Sequence, residues 1–136
     1  MTQYIHKVKY YETDKMGITH HSNYIRWMEE ARVDFLEKIG YGYKRLEDEG
    51  VVSPVVSVEC HYKYPTTFDD EIRITVQIIK YTGAKVTFSY EMVNNLTSQL
   101  VLTAESTHCF VTENGRPISV RKHFPQFDEV INKALK

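Results

Sequence analysis

From about Asn23 the apolar positions recur at spacings of three and four: Tyr24, Trp27, Met28, Ala31, Phe35, Leu36 and Ile39. That spacing puts one apolar stripe on an α-helix of roughly four to five turns. Arg26, Glu29, Glu30, Arg32 and Glu37 fall off much of the stripe and read as its polar remainder. Ser22 or Asn23 can supply the N-cap oxygen, and Gly40 is the expected stop. YKRLEDE, residues 43–49, reads as a short second helix ended by Gly50.

Elsewhere the period is two. In EIRITVQII, residues 71–79, Ile72, Ile74, Val76 and Ile78 alternate with Glu71, Arg73, Thr75 and Gln77. KVTFSYEMV, residues 85–93, repeats the pattern with Val86, Phe88, Tyr90 and Met92 inward. Such alternation predicts a sheet with one buried and one polar face. The short turns at YTGA and NNLTS join antiparallel neighbours. QYIHKVKYY (3–11), VVSVECHYKY (55–64) and QLVLTAESTHCFV (99–111) complete a set of about five strands, and QFDEVINKAL (126–135) reads as a C-terminal helix. The economical packing is α+β, with a twisted antiparallel sheet curled around the long helix.

Composition narrows the function classes. The 136 residues suit one domain spanning 1–136. Hydrophobic residues make up 42% and charged ones 26%, as in ordinary globular proteins. With 17 basic against 18 acidic side chains and a net charge of −1, no phosphate-neutralising surface is indicated, so nucleic acid is not an expected partner. No apolar run is long enough to cross a membrane, and MTQYIHKVKYYETDK has no signal-peptide core. Cys60 and Cys109 form no metal or redox spacing and read as reduced thiols of a cytoplasmic protein.

The candidate chemistry lies in DKMGITHHSNY, residues 14–24. Asp14 and Gly17 fit the first and fourth positions of an ordinary type I turn. Adjacent residues tend to point apart, so His20 and His21 are not expected to share a metal, and no metal site is expected. The segment nonetheless ends at a helix N-terminus, where unpaired amides and the positive end of the helix dipole stabilise a developing oxyanion. A carboxylate a few residues upstream can fold back toward that spot. Carboxylate and amide donors together are the minimum parts for hydrolysing an activated acyl group.

The stretch YYETDKMGITHHSNYIRWMEEARVDFL resembles the 4-hydroxybenzoyl-CoA thioesterase family through Asp14, Gly17, His21, Asn23, Tyr24, Met28, Glu29, Ala31 and Arg32. YKYPTTFDDEIRI adds Pro65, Asp70 and Glu71, and the likeness covers roughly residues 4 to 120. His20 departs from it, since many relatives carry an aromatic or aliphatic residue there. The resemblance implies a hot-dog fold and hydrolysis of acyl-CoA thioesters without a cofactor. It makes Asp14 the catalytic carboxylate, as nucleophile or as general base. It puts an oxyanion donor at the amide near His21, whose side chain assists or only occupies the helix start. Gly17, Asn23 and Tyr24 line the substrate side. It implies a homodimer or homotetramer with the site between subunits and the sheets continuous across the dimer. Coenzyme A phosphates call for basic side chains from among Lys63, Lys80, Lys85, Arg116, Arg121 and Lys122, with Lys85 and Arg121 the first choices. Two other readings keep the fold: a thioesterase acting on acyl carrier protein, and a non-hydrolytic binder of acyl thioesters. A dehydratase of the same fold is disfavoured by the Asp-x-x-Gly loop.

Overall fold

The stripe that starts at Tyr24 forms a single helix in the computed structural model, which describes residues 2–135. This helix, α1, spans Ser22–Lys38 and buries Tyr24, Trp27, Met28, Ala31, Phe35 and Leu36. Gly40, at φ 95°, takes the left-handed conformation that ends it. The Tyr41 amide then reaches back to the Leu36 carbonyl at 3.0 Å, which closes the last turn. Fully burying each large apolar side chain of α1 contributes about 1.5–3 kcal/mol.

The partner of this stripe is one five-stranded antiparallel sheet built from β1 (Thr2–Lys7), β2 (Val55–Tyr62), β3 (Glu71–Tyr81), β4 (Lys85–Asn94) and β5 (Leu100–Cys109). Its spatial order is β1-β3-β4-β5-β2. The two turns foreseen near Gly83 and at 94–98 make β3, β4 and β5 a meander. β2 does not join β3 directly, because residues 63–70 carry the chain across the end of the sheet. Ile72, Ile74, Val76 and Ile78 are fully buried, as the alternation requires. The five-stranded sheet around one long helix is the expected hot-dog architecture.

Several boundaries moved for local reasons. The first strand ends at Lys7 rather than Tyr11, because Tyr10–Glu12 turn as a short 3-10 helix. The second helix, α2, is Tyr43–Asp48. A turn of helix not foreseen in the sequence, α3 (Val120–His123), precedes α4 (Pro125–Ala134); Ser119 caps it by accepting the Lys122 amide at 3.3 Å.

One flank of α1 is tied to β1 by Tyr4 Oη donating to Glu30 at 2.9 Å and Lys38 Nζ donating to the Gln3 carbonyl at 2.8 Å. The opposite flank faces β2 and is open. Ile25, Val33, Val55, Val56, Val58 and Tyr62 are all exposed along it. No helix among the described residues is long and apolar enough to cross a membrane.

Candidate active site

Asp14 sits in a tight hairpin. Its carbonyl accepts the Gly17 amide at 2.9 Å, and its own amide donates to Ile18 at 2.9 Å. Gly17 has φ 80°, so this is a type I turn followed by a left-handed residue that suits glycine. The turn anticipated from Asp-x-x-Gly is therefore present, and Gly17 serves its geometry. One oxygen of Asp14, Oδ1, accepts the Met16 amide at 2.8 Å and fixes the side chain. Oδ2 accepts no bond from the described residues.

The hairpin hands the chain to α1 through Thr19, His20 and His21. Thr19 is pinned to the 63–70 crossover, its amide donating to the Thr66 carbonyl at 2.9 Å and its hydroxyl lying 2.6 Å from that of Thr66. The helix starts at Ser22, which makes His21 the cap residue, and His21 gives no side-chain cap. Neither Ser22 nor Asn23 fills that position. Instead the His20 ring turns back, and its Nδ1 accepts the Ser22 amide at 3.3 Å. The two imidazoles do not point apart as expected; their rings stack with centroids 4.4 Å apart. The amides of Asn23 and Tyr24 bond to the carbonyls of His20 and His21, whereas the His21 amide has no acceptor among the described residues. A free amide at the start of a long helix is the donor an oxyanion requires.

A buried carboxylate missed by sequence reasoning holds this arrangement. Glu12 is 5% exposed. It accepts from Trp27 Nε1 at 2.7 Å, from the Lys9 amide at 2.8 Å and from His6 Nε2 at 2.9 Å. Burial works to raise its pKa, but the Trp27, Lys9 and His6 donors outweigh burial and hold the carboxyl below its ordinary range. Its carbonyl in turn accepts the His20 amide at 2.9 Å and Asn23 Nδ2 at 3.0 Å. Asn23 is thus committed to holding the helix start. Tyr24 is committed as well: its hydroxyl lies 3.0 Å from Thr66 Oγ1, and its ring packs edge-on against Trp27. The one sequence signal for Glu12 is its place two residues before Asp14 in the same motif.

Beside the free amide is an open cleft of about 360 Å³, lined by Ile18, Thr19, His21, Tyr24, Tyr62, Lys63, Tyr64 and Pro65. Ile18 is the residue that Asp14 pairs with across the hairpin. Lys63 is the basic side chain on the cleft wall. Lys85 and Arg121, the first choices from sequence, lie elsewhere in the same chain. β4 runs from Lys85 toward the Asp14 end and finishes there at Asn94, so Lys85 is about 30 Å away along the strand. Arg121 lies beside Gly83 at that far end and pairs with Asp128 at 3.5 Å.

The sequence matches the family model described as the thioesterase-like superfamily over residues 8–135. The Bacillus subtilis protein YneP, which carries a provisional acyl-CoA thioesterase name, is 37% identical over 131 residues, 96% of this chain and 94% of YneP. The Escherichia coli acyl-CoA thioester hydrolase YbgC is 28% identical over 88 residues, 65% of this chain and 66% of YbgC. Among solved structures, a DHNA-CoA thioesterase from Staphylococcus aureus superposes with a TM-score of 0.93 at 28% identity, covering 97% of this chain and 89% of that one. The chain belongs to the thioesterase-like superfamily, and its hot-dog fold is the one its Asp14–Arg32 stretch resembles.

Proposed function

We propose that this thioester hydrolase cleaves acyl-CoA thioesters to free acid and coenzyme A, with Asp14 as the reacting carboxylate and the His21 amide as oxyanion donor. The observation that carries the proposal is the free His21 amide opening α1, beside a cleft that runs along Ile18 next to Asp14. The thioester carbonyl lies in the cleft with its oxygen on that amide. The free Oδ2 of Asp14 attacks the carbonyl carbon to give a mixed anhydride, or takes a proton from an attacking water. In the first route the thiolate of coenzyme A leaves and water then hydrolyses the anhydride; in the second the water adds to the carbonyl carbon and the tetrahedral intermediate expels the thiolate. By analogy with other oxyanion holes, one such donor lowers the barrier by about 2.7–4 kcal/mol. The His21 ring, on the cleft wall, orients the thioester, and Lys63 meets a phosphate.

An open sheet edge supports the second copy that the resemblance implies. β2 is an edge strand with exposed valines, and the α1 flank beside it is open. Antiparallel pairing of two β2 strands makes one continuous sheet and covers that flank. It also turns the partner subunit end for end, so the Lys85 end of one chain lies toward the Asp14 end of the other.

The test is release of free thiol from short, medium, long-chain and aromatic acyl-CoAs by wild type and Asp14→Asn. Asn retains an oxygen for the Met16 amide, so the variant keeps its fold. It loses about a hundredfold to ten-thousandfold in kcat. Equal turnover by the two proteins overturns the mechanism. Strong competition by free coenzyme A supports the CoA reading over an acyl-carrier-protein substrate.

A further inference from the structure

Arg32 departs from the pattern of its helix. It was expected on the polar side, yet it is 7% exposed. Buried cations ordinarily carry an anion, since an isolated charge is costly away from water. No carboxylate of the described residues pairs with Arg32. Its Nη1 donates to Tyr90 Oη at 3.0 Å and its Nε to Tyr43 Oη at 3.4 Å; Nη2 donates to none of the described residues.

The polar groups beyond Arg32 hold no anion. A guanidinium has no lone pair to offer, so Tyr90 accepts from Arg32. The Tyr90 hydroxyl lies 2.6 Å from Ser106 Oγ, and Ser106 Oγ lies 2.8 Å from His108 Nε2. His108 is fully buried, which holds its ring neutral, and its Nδ1 has no partner of good geometry. None of Tyr90, Ser106 and His108 supplies a negative charge.

Arg32 also lies at the end of a line that starts in the candidate active site. Tyr24, Met28 and Arg32 are four residues apart, so they succeed one another along the same flank of α1. The Tyr24 ring meets Tyr62 at 5.6 Å, and Met28 Sδ meets Cys60 Sγ at 3.8 Å. Val58, the next inward residue of β2, is 37% exposed. These residues form an apolar seam between α1 and β2 that starts at the His21 cleft, where Tyr24 and Tyr62 line the wall, and Ile25, Val33 and Val58 are exposed. Ten helical residues separate Ser22 from Arg32, a rise of about 15 Å, and the side chain leans back toward the helix start.

We propose that Arg32 is a specificity-determining residue that receives an anionic oxygen, a carboxylate foremost, at the far end of the acyl group whose thioester carbonyl lies at His21. The inference rests on the thioesterase reading and names the substrate class for it: acyl groups ending in an acid rather than plain alkyl chains.

The experiment compares matched esters, hexanoyl-, octanoyl- and decanoyl-CoA against their ω-carboxy counterparts, with wild type, Arg32→Met and Arg32→Lys. Wild type is expected to prefer the ω-carboxy ester of one chain length by about tenfold to a hundredfold in kcat/KM, the range of a charge-assisted hydrogen bond. Arg32→Met abolishes that preference while hydrolysing the plain ester, and Arg32→Lys restores part of it. The wild-type ratio alone suffices if the Met variant does not fold. Hydrolysis of both series at equal rates, or equal losses on both in Arg32→Met, overturns the inference and leaves the thioesterase reading standing. Failure to hydrolyse any of the esters overturns both.

Discussion

Replacing Glu12 by Gln tests whether this carboxylate is the anchor of the site. In the wild type, Oε1 accepts two donors, the Lys9 amide and His6 Nε2, and Oε2 accepts Trp27 Nε1. Gln has one acceptor oxygen. Its better orientation keeps that oxygen toward Lys9 and His6 and turns its NH2 toward the indole N–H, donor against donor. The orphaned indole costs about 1–3 kcal/mol, and the two surviving bonds lose their charge assistance at roughly 1 kcal/mol each. The sum is about 3–5 kcal/mol, the usual range for breaking a buried charged contact. The melting temperature should fall by roughly 10–20 °C at neutral pH. The pH dependence sharpens the test. The folded-state pKa of Glu12 is depressed, so its contribution is present above the unfolded value of about 4.3 and is lost as pH falls through the folded value. The stability gap between wild type and variant is therefore wide at pH 7 and narrows on acidification. Circular-dichroism melts from pH 7 downward measure it. A melting temperature unchanged within a few degrees at pH 7, or a gap that widens on acidification, would refute the reasoning.

Burial and the nearby Arg32 charge push the pKa of His108 down to about 4, so the unfolded chain takes up a proton below about 6.5 that the folded chain refuses; wild type should lose up to about 3 kcal/mol between those values, and denaturant titrations of His108→Leu should lack that slope. Gly17→Ala places a side chain at φ 80° and should cost about 1–2 kcal/mol in chemical denaturation, with kcat falling more than affinity for a product such as coenzyme A because the turn aims Asp14. Val58→Lys puts a charge on the inner face of the open edge and should shift the mass in light scattering from twice 16.0 kDa to 16.0 kDa; an unchanged dimer would move the subunit contact away from β2.

Most of the fold is legible in the sequence, because two periods dominate it. The stripe from Tyr24 to Ile39 and the alternation from Ile72 to Ile78 each report a single buried face. The position of β2 is not legible. Its residues alternate like the others, but no local signal says that the 63–70 segment crosses the sheet end rather than turning back. Arg32 is misread for a similar reason. Its charge outweighs its position in the pattern, and its partners Tyr43 and Tyr90 are distant in sequence. In the candidate site, the Asp14–Gly17 turn is legible because a turn states itself locally, and the helix start is legible from the stripe. Glu12 is hidden because its burial depends on His6 and Trp27 meeting across the β1–α1 packing. The placement of Lys85 and Arg121 required the direction of β4, which composition and spacing do not encode.

The crossover of residues 63–70 has a consequence for how the molecule forms. The meander of β3, β4 and β5 closes through short turns, whereas β1 must find β3, with Thr2 opposite Val76, and β2 must find β5, with Val55 opposite His108. Contacts between distant parts of the chain form slowly, because loop-closure entropy is spent before they are made. The candidate site depends on these late contacts. The Thr19–Thr66 bonds, the Tyr24–Thr66 contact and the His6–Glu12 contact all wait for the outer strands to arrive. During refolding, far-UV signal from the meander should therefore return before enzymatic competence does, and turnover marks the arrival of the last strands.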